Sequence, residues 1–313
     1  MYTIEIPLPG NPLKALNSYV IKGTDRNLII DTGFNREECF KAMQAGLKEL
    51  GVEPGRTDIF LTHLHADHTG LVSRLASKSS TVYFNEPDLT DSKSGWDKML
   101  AFAVANGFPE DQLEAAFKNH PGYKYSPEKM PDYTILKDGD KLNIGTYHFT
   151  CIQTPGHTRG HMCLYDAAKR LFIAGDHILN DITPNIACFS EQGDPLKDYL
   201  NSLDKVENLD IDLVLPGHRS IINNHRARIE ELKAHHSNRV NEILEILKKG
   251  PQNAFQIASR MKWNITYKAW DMFPVSQKWF ATGEAISHVR FLEKSGKIRK
   301  TMDGNIFTFS INL

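Results

Sequence analysis

T-H-L-H-A-D-H, at residues 62–68, places three histidines and one aspartate within six residues. On a helix, side chains two positions apart point in different directions, whereas an extended backbone lets them share one face. The short apolar run before the motif has the composition of a strand. We therefore predict that His63 and His65 lie on a loop leaving this strand, and that Asp67 and His68 open the helix that follows.

Three further side chains that can bind metals come directly after predicted strands. His157 and His218 each follow a Pro-Gly pair, and Asp176 follows a glycine. If these strands lie side by side, all four loops meet at one edge of the sheets. Seven nitrogen and oxygen ligands are too many for one tetrahedral zinc but suit two metals about 3.5–4 Å apart. The predicted ligands are His63, His65, Asp67, His68, His157, Asp176 and His218.

The order of these residues resembles that of the metallo-β-lactamase superfamily. Asp31-Thr32-Gly33 and residues 154–158 (Thr-Pro-Gly-His-Thr) add to the resemblance, which covers about residues 1–222. It implies an α/β fold, an αββα sandwich. It also implies that one metal is bound by His63, His65 and His157, and the other by Asp67, His68 and His218. Asp176 then bridges the two metals.

Departures from the pattern narrow the resemblance to one branch. True β-lactamases lack a bridging aspartate such as Asp176, and diiron flavoproteins usually carry glutamate in place of His65. The segment between Asp176 and His218 is too short for the large insert of the RNA-cleaving β-CASP branch. What remains resembles the glyoxalase II-like hydrolases of thioesters, esters and lactones. The sequence His235-His236-x-x-Arg239 with the end of the chain also resembles the lactamase-beta-two-like subgroup, some members of which cut RNA.

Charge and composition predict a boundary near residue 225. Residues 225–313 hold 15 Lys and Arg against 8 Asp and Glu, although the whole chain has a net charge of −1. We predict a catalytic domain at 1–224 with a helical insertion at about 86–130. For residues 225–313 we predict helices and a terminal hairpin, the order of a small winged-helix-like domain. We expect this domain to shape the site or to mediate dimerisation rather than to read DNA.

Several other polar residues are candidates for roles beside the metals. Asp31 is either an ordinary turn aspartate or a residue that orients a ligand histidine. His161 and His177 flank predicted ligands. Each either faces substrate or is a packed or exposed histidine, and the latter is favoured. Basic residues on and after the last helix either contact phosphates or form a solvated face, and we favour the solvated face. They are Arg290, Lys294, Lys297, Arg299 and Lys300.

The sequence gives no sign of export or of a membrane span. It opens without a basic start followed by an apolar run, and no stretch approaches the roughly 20 apolar residues of a membrane helix. Its four cysteines are far apart, so free thiols are expected rather than disulfides. We predict a cytoplasmic protein with a small-molecule substrate, and a homodimer is left open.

These predictions describe a hydrolase with two divalent metals. Zinc suits the ligands, with Fe and Mn as alternatives. A hydroxide bridging the metals attacks the carbonyl of a thioester, ester or lactone, and Asp67 passes its proton to the leaving group. The alternative is a metal-dependent endoribonuclease or other phosphodiesterase whose tail grips nucleic acid. A non-catalytic DNA-binding sensor is less favoured, because a scaffold need not keep every ligand.

Overall fold

Six strands form the first sheet of the computed structural model, which describes residues 1–92, 95–264 and 267–312. In spatial order they are β1 (Tyr2–Pro7), β2 (Ala15–Lys22), β3 (Asn27–Ile30), β4 (Thr57–Phe60), β5 (Val82–Phe84) and β6 (Tyr133–Ile135). The pairs among β1, β2 and β3 are antiparallel, and those from β3 to β6 are parallel. The parallel strands therefore share one carboxyl edge.

Five strands form the second sheet. In spatial order they are β11 (Leu213–Pro216), β10 (Leu171–Gly175), β9 (Met162–Asp166), β8 (Tyr147–Gln153) and β7 (Lys141–Ile144). Strands β10 and β11 are parallel, and β9 is antiparallel to both β8 and β10. The carboxyl ends of β8, β10 and β11 consequently lie at the same edge. These three strands precede His157, Asp176 and His218.

The two sheets pack face to face over an apolar core. On β3, Leu28 and Ile30 belong to the core that also contains Phe149 of the second sheet. Ile29, between them, belongs to a second core with Met43 of helix α1 (Glu37–Glu49). This alternation is the period of two that a strand covered on both faces requires. Each such side chain contributes about 1.5–3 kcal/mol when buried.

Eleven α-helices lie in the described residues outside the two sheets. In the first third they are α1, α2 (Ala66–Thr69), α3 (Val72–Leu75) and α4 (Glu86–Ser92). The region of the predicted insertion continues with α5 (Trp96–Ala105), α6 (Glu110–Asn119) and α7 (Pro121–Lys124). Later helices are α8 (Pro195–Glu207), α9 (His225–Leu247), α10 (Ala254–Arg260) and α11 (Val275–Lys294). Among the described residues, none of the helices is both long and apolar enough to cross a membrane.

The chain folds into two compact units. The first comprises residues 1–93, 121–184 and 204–229, and the second comprises residues 94–120, 185–203 and 230–313. The predicted boundary at residue 225 differs from this division, because the second unit also takes two segments from earlier in the chain. In that unit, Phe108 and Trp279 pack edge to face with ring centroids 5.3 Å apart. Contacts between segments so far apart in the chain cannot be recognised from the sequence pattern.

The second unit ends in a hairpin of β12 (Ile298–Asp303) and β13 (Ile306–Ile311). With helices α9, α10 and α11 before the hairpin, a helical region at the end of the chain is present, as predicted. Helix α11 begins at Val275, directly after Pro274. A proline just before a helix suits this position, since its missing N–H would have no partner there. The winged-helix classification of this region stays a prediction.

Candidate metal centre

Four loops bring the seven predicted ligands to one place in the first unit. The motif of residues 62–68 leaves β4, and its last part forms the short helix α2. In each of three overlapping groups, the atoms able to bind a metal lie within 4.8 Å of one another. Two of them, His63, His65 and His157, and Asp67, His68 and His218, are the sets that the resemblance implied. The third, His63, His68 and Asp176, connects these two sets.

Asp176 lies between the two groups and faces both. Its Oδ2 is 3.6 Å from Nε2 of His157 in the first group. Its Oδ1 is 3.5 Å from Nε2 of His68 and 3.6 Å from Nε2 of His218 in the second group. One carboxylate thus presents a different oxygen to each group, which is the arrangement of a bridging ligand.

Three atoms at the second group and the bridging carboxylate fit a metal because they are buried without a hydrogen-bond partner. Nε2 of His68, Nε2 of His218 and Oδ1 of Asp176 have none among the described residues. A buried polar atom left in this state costs about 1–3 kcal/mol. Imidazole nitrogens and carboxylate oxygens are donors that divalent zinc, iron and manganese accept, so a metal ion would satisfy all three atoms.

The protonation of the histidines differs between the two groups. Burial lowers the pKa of His63, and it lowers that of His65 to about 3, so both imidazoles are neutral and able to bind a metal. Burial has the same effect on His68, but the acidic groups of Asp31, Asp176 and Asp67 outweigh it and raise the pKa of His68. These carboxylates favour positive charge at the second group, a charge that a divalent metal would also supply.

Asp31 contacts a predicted ligand histidine, as the orienting interpretation of this residue requires. Its Oδ2 lies 2.8 Å from Nδ1 of His68, and its Oδ1 accepts the Thr62 N–H at 2.9 Å. His218 is fixed similarly, since its Nδ1 donates to the carbonyl of Ala15 at 2.6 Å. In both histidines the anchored Nδ1 leaves Nε2 to face the centre, as bound imidazoles require.

Two glycines allow the loops to approach this closely. A Cβ on Gly217 would lie 2.7 Å from Oδ1 of Asp176 and 2.9 Å from Cε1 of His68. Gly175 has a φ of +49°, and a Cβ there would lie 2.8 Å from Nε2 of His161. The Gly-Asp and Gly-His pairs of the sequence therefore reflect a steric requirement of the centre.

The weaker sequence candidates act elsewhere. His161 is buried, with Nε2 accepting the backbone N–H of Asp176 at 3.0 Å. It supports the loop of a ligand, and His177 is likewise fully buried. Both histidines are therefore packed in the interior of the protein.

Sequence reasoning missed a buried carboxylate beside the centre, Asp88 in helix α4, which accepts hydrogen bonds from Leu64 and Thr158. The signal that could have found Asp88 is its position. It follows β5, whose carboxyl end lies at the same edge of the sheet as the end of β4.

A sequence model described as "Metallo-beta-lactamase superfamily" matches residues 13–218. The chain belongs to this superfamily. The resemblance drawn from the motif is thereby confirmed, and so is the fold, a metallo-β-lactamase fold followed by a helical C-terminal region. Together with its relatives, this membership makes the chain a metal-dependent hydrolase.

Relatives of this superfamily member span nearly its whole length. The "Probable metallo-hydrolase" of Bacillus subtilis is 27% identical over 93% of this chain and 92% of its own. A metallo-beta-lactamase family protein from Thermus thermophilus has a crystal structure that covers 99% of this chain and 98% of its own. That match has a TM-score of 0.84 and 26% sequence identity.

Two other relatives in the superfamily carry names that state a substrate. An acyl-coenzyme A thioesterase of Homo sapiens is 23% identical over 64% of this chain and 72% of its own. An atrochrysone carboxyl acyl-carrier-protein thioesterase of Aspergillus fumigatus is 25% identical over 72% of this chain and 58% of its own. Both names describe hydrolysis of a thioester.

Proposed function

We propose that this chain is a binuclear metal-dependent thioesterase. The observation that carries the proposal is the placement of Asp176, whose two carboxylate oxygens face two separate groups of ligands. In this proposal, the first metal is held by His63, His65 and His157, and the second by Asp67, His68 and His218. Zinc suits these donors, with iron and manganese as alternatives.

Metals at these positions would supply a nucleophile from water at neutral pH and would polarise the carbonyl of the substrate. The proposed reaction adds the oxygen of water to the carbonyl carbon and breaks the C–S bond. The products are a carboxylic acid and a thiol. The proton removed from water goes to the departing sulfur.

Asp67 is the residue that we assign to this proton transfer. Burial alone would raise its pKa, but His68 and His218 lower the pKa of Asp67 to about 2. Its Oδ2 lies 3.3 Å from Nε2 of His218, so the carboxylate is at the centre. Asp67 is therefore ionised at neutral pH and able to accept a proton from water before passing it on.

A thioester is favoured over an ester or a lactone on two grounds. The human and Aspergillus relatives both act on thioesters by name. The thiol of cysteine has a pKa of about 8.5. Thiols are far more acidic than alcohols, so a thiolate leaves with less help than an alkoxide. This chemistry suits a centre whose assigned proton carrier is a single carboxylate.

The phosphodiesterase alternative has no comparable support in the second unit. Its basic residues would have to be available to phosphates. Three of the five basic residues, Arg290, Lys294 and Lys300, contact carbonyl or carboxylate groups of residues 191–193. Arg290 is also almost entirely buried. We therefore carry no second function forward.

The test is a substrate panel on the full-length protein loaded with zinc. The panel contains an acyl-coenzyme A, an acyl-pantetheine, the matching oxygen ester, a lactone and a single-stranded RNA. We expect two metals per chain by elemental analysis, and fastest turnover of the thioesters. His157→Ala should lose one metal and most activity. Fewer than two metals in folded, unchelated protein, or faster cleavage of RNA than of thioesters, would refute the proposal.

A further inference from the structure

Resting on the proposed two-metal centre, we propose that Asp88 is the positioning residue of its first metal site. The hydrogen bonds that Asp88 accepts come from neighbours of the predicted ligands. Asp88 joins the two loops on which all three ligands of that site lie, and so fixes the distance between His157 and the pair His63 and His65. No motif of the sequence pointed to this role.

Three hydrogen bonds connect Asp88 to these loops. Its Oδ2 accepts the backbone N–H of Leu64 at 2.9 Å and the hydroxyl of Thr158 at 2.8 Å. Its Oδ1 accepts the backbone N–H of Gly160 at 2.6 Å. Leu64 stands between His63 and His65, and Thr158 directly follows His157. One carboxylate oxygen thus bonds to a neighbour of every ligand in the first group.

Burial makes the connection rigid. The Asp88 side chain is 0% exposed, and burial raises its pKa to about 6 although the three hydrogen bonds favour the ionised form. An ionised group in such a place is tolerated only with several donors around it. The partners of Asp88 cannot be replaced by water without opening the loops.

The loop that follows His157 also lies in direct contact with the start of helix α4. Asn85 is buried, and its Oδ1 accepts the backbone N–H of Asp88 at 2.9 Å. A Cβ on Gly160 would lie 1.7 Å from this oxygen. No residue other than glycine fits there, so the position of the loop is set by α4 itself.

The second metal site has a different support. His68 is held by Asp31, and His218 by the carbonyl of Ala15. Asp88 makes no hydrogen bond to these residues. Its loss should therefore weaken one metal site and spare the other, an asymmetry that general damage to the fold would not produce.

The experiment uses the full chain with Asp88→Asn. The amide has the same size as the carboxylate, but its NH₂ group faces groups that themselves donate hydrogen bonds. The metal-free protein is titrated with zinc against a chromophoric chelator. We expect one site of wild-type affinity and one weakened 10–100-fold, the usual cost of removing such a support. In a His218→Ala background the remaining site should weaken to the same extent. In a His157→Ala background it should not change.

Asp166→Asn is the matched control. Asp166 is also buried and also accepts two backbone N–H groups, from His148 at 3.0 Å and Lys169 at 3.1 Å. We expect this variant to have a lower melting temperature with unchanged affinity at both sites. A purely structural Asp88 would behave in the same way.

The outcomes separate the inference from the proposed function. If the wild type binds two zinc ions and Asp88→Asn binds both unchanged, or weakens both equally, Asp88 is not a positioning residue. If the wild type binds fewer than two, the proposed function itself fails. Should Asp88→Asn not fold, Thr158→Val removes a single hydrogen bond and should still weaken the first site selectively. Thr158→Ser should restore the affinity.

Discussion

Oδ2 of Asp31 lies 2.8 Å from Nδ1 of His68, and this contact leaves the opposite nitrogen of the ring facing the metal centre. Asp31 has a φ of +61°, a left-handed conformation that few residues other than glycine adopt readily. Asparagine is one of them, together with aspartate. Asp31 therefore combines a strained backbone conformation with a hydrogen bond to His68. Replacing it by asparagine removes the negative charge of the carboxylate without adding backbone strain.

Asp31→Asn should weaken the second metal site. The amide lacks the negative charge of the carboxylate, which orients the His68 imidazole and strengthens it as a metal ligand. Comparable substitutions cost 10–100-fold in metal affinity. Zinc titration of the metal-free variant measures the effect, with Asp166→Asn as the control. An affinity within twofold of wild type at both sites would show that Asp31 serves only the turn.

Asp67→Asn should lose activity while the fold survives. The amide keeps the size of the side chain and an oxygen for the metal, but it cannot accept a proton. We expect kcat to fall by about 10²–10⁴. Circular dichroism and elemental analysis on the same sample check the fold and the metals. A variant with two metals and near-native turnover would mean that the proton travels by another group.

Gly217→Ala should disturb the second site through a single methyl group. Its Cβ would lie 2.7 Å from Oδ1 of Asp176, so the carboxylate or the loop has to move. We expect at least a tenfold loss of kcat/KM, since misplacements of about 1 Å cost up to 10²-fold. Gly55→Ala is the control, because nothing lies within 4 Å of a Cβ there. Equal effects of the two substitutions would contradict the steric argument.

The sequence predicted the strands and the convergence of the ligands well, for a physical reason. Metal-binding residues placed just after buried strands must meet wherever the carboxyl ends of those strands share an edge. Asp88 was not predicted, because a buried carboxylate that accepts hydrogen bonds from backbone N–H groups occurs in no characteristic sequence motif. The composition of the second unit was not predicted, because its segments are far apart in the chain and meet only through packing such as that of Phe108 on Trp279. Helical periodicity indicates which face of a helix is buried, but it does not indicate which segment packs against that face.

Acid should destabilise the protein through a buried histidine pair in the second unit. Nδ1 of His236 lies 3.1 Å from Nε2 of His288, whose own Nδ1 donates to the carbonyl of Glu284. Burial, followed by the charges of His288, His235 and Arg239, lowers the pKa of His236 to about 2. A lowered histidine pKa gives stability that is present above the unfolded value of 6.5 and is lost as the pH falls toward the folded one.

For His236 alone, linkage gives a loss of about 2 kcal/mol in unfolding free energy between pH 7 and pH 5. His236→Gln should be less stable than wild type at pH 7, because a buried hydrogen bond is disturbed. Its further loss at pH 5 should be smaller by about this amount. Urea unfolding at both pH values measures the difference, with the exposed His148→Gln as the control. Parallel pH dependence of His236→Gln and wild type would exclude a titrating role for His236.

A chain that ends at residue 224 should not remain a soluble monomer. Segments 94–120 and 185–203 would stay behind without the rest of their unit. Trp279, which is 2% exposed, stacks on Phe189 at 4.4 Å and covers Phe108, so its removal uncovers apolar surface on both segments. A chain ending at Gly296 is the control, since it lacks only the hairpin β12–β13. Size-exclusion chromatography should find aggregates for the shorter chain and far fewer for the longer. A monomeric 1–224 chain with two bound metals would show instead that residues 1–224 fold on their own.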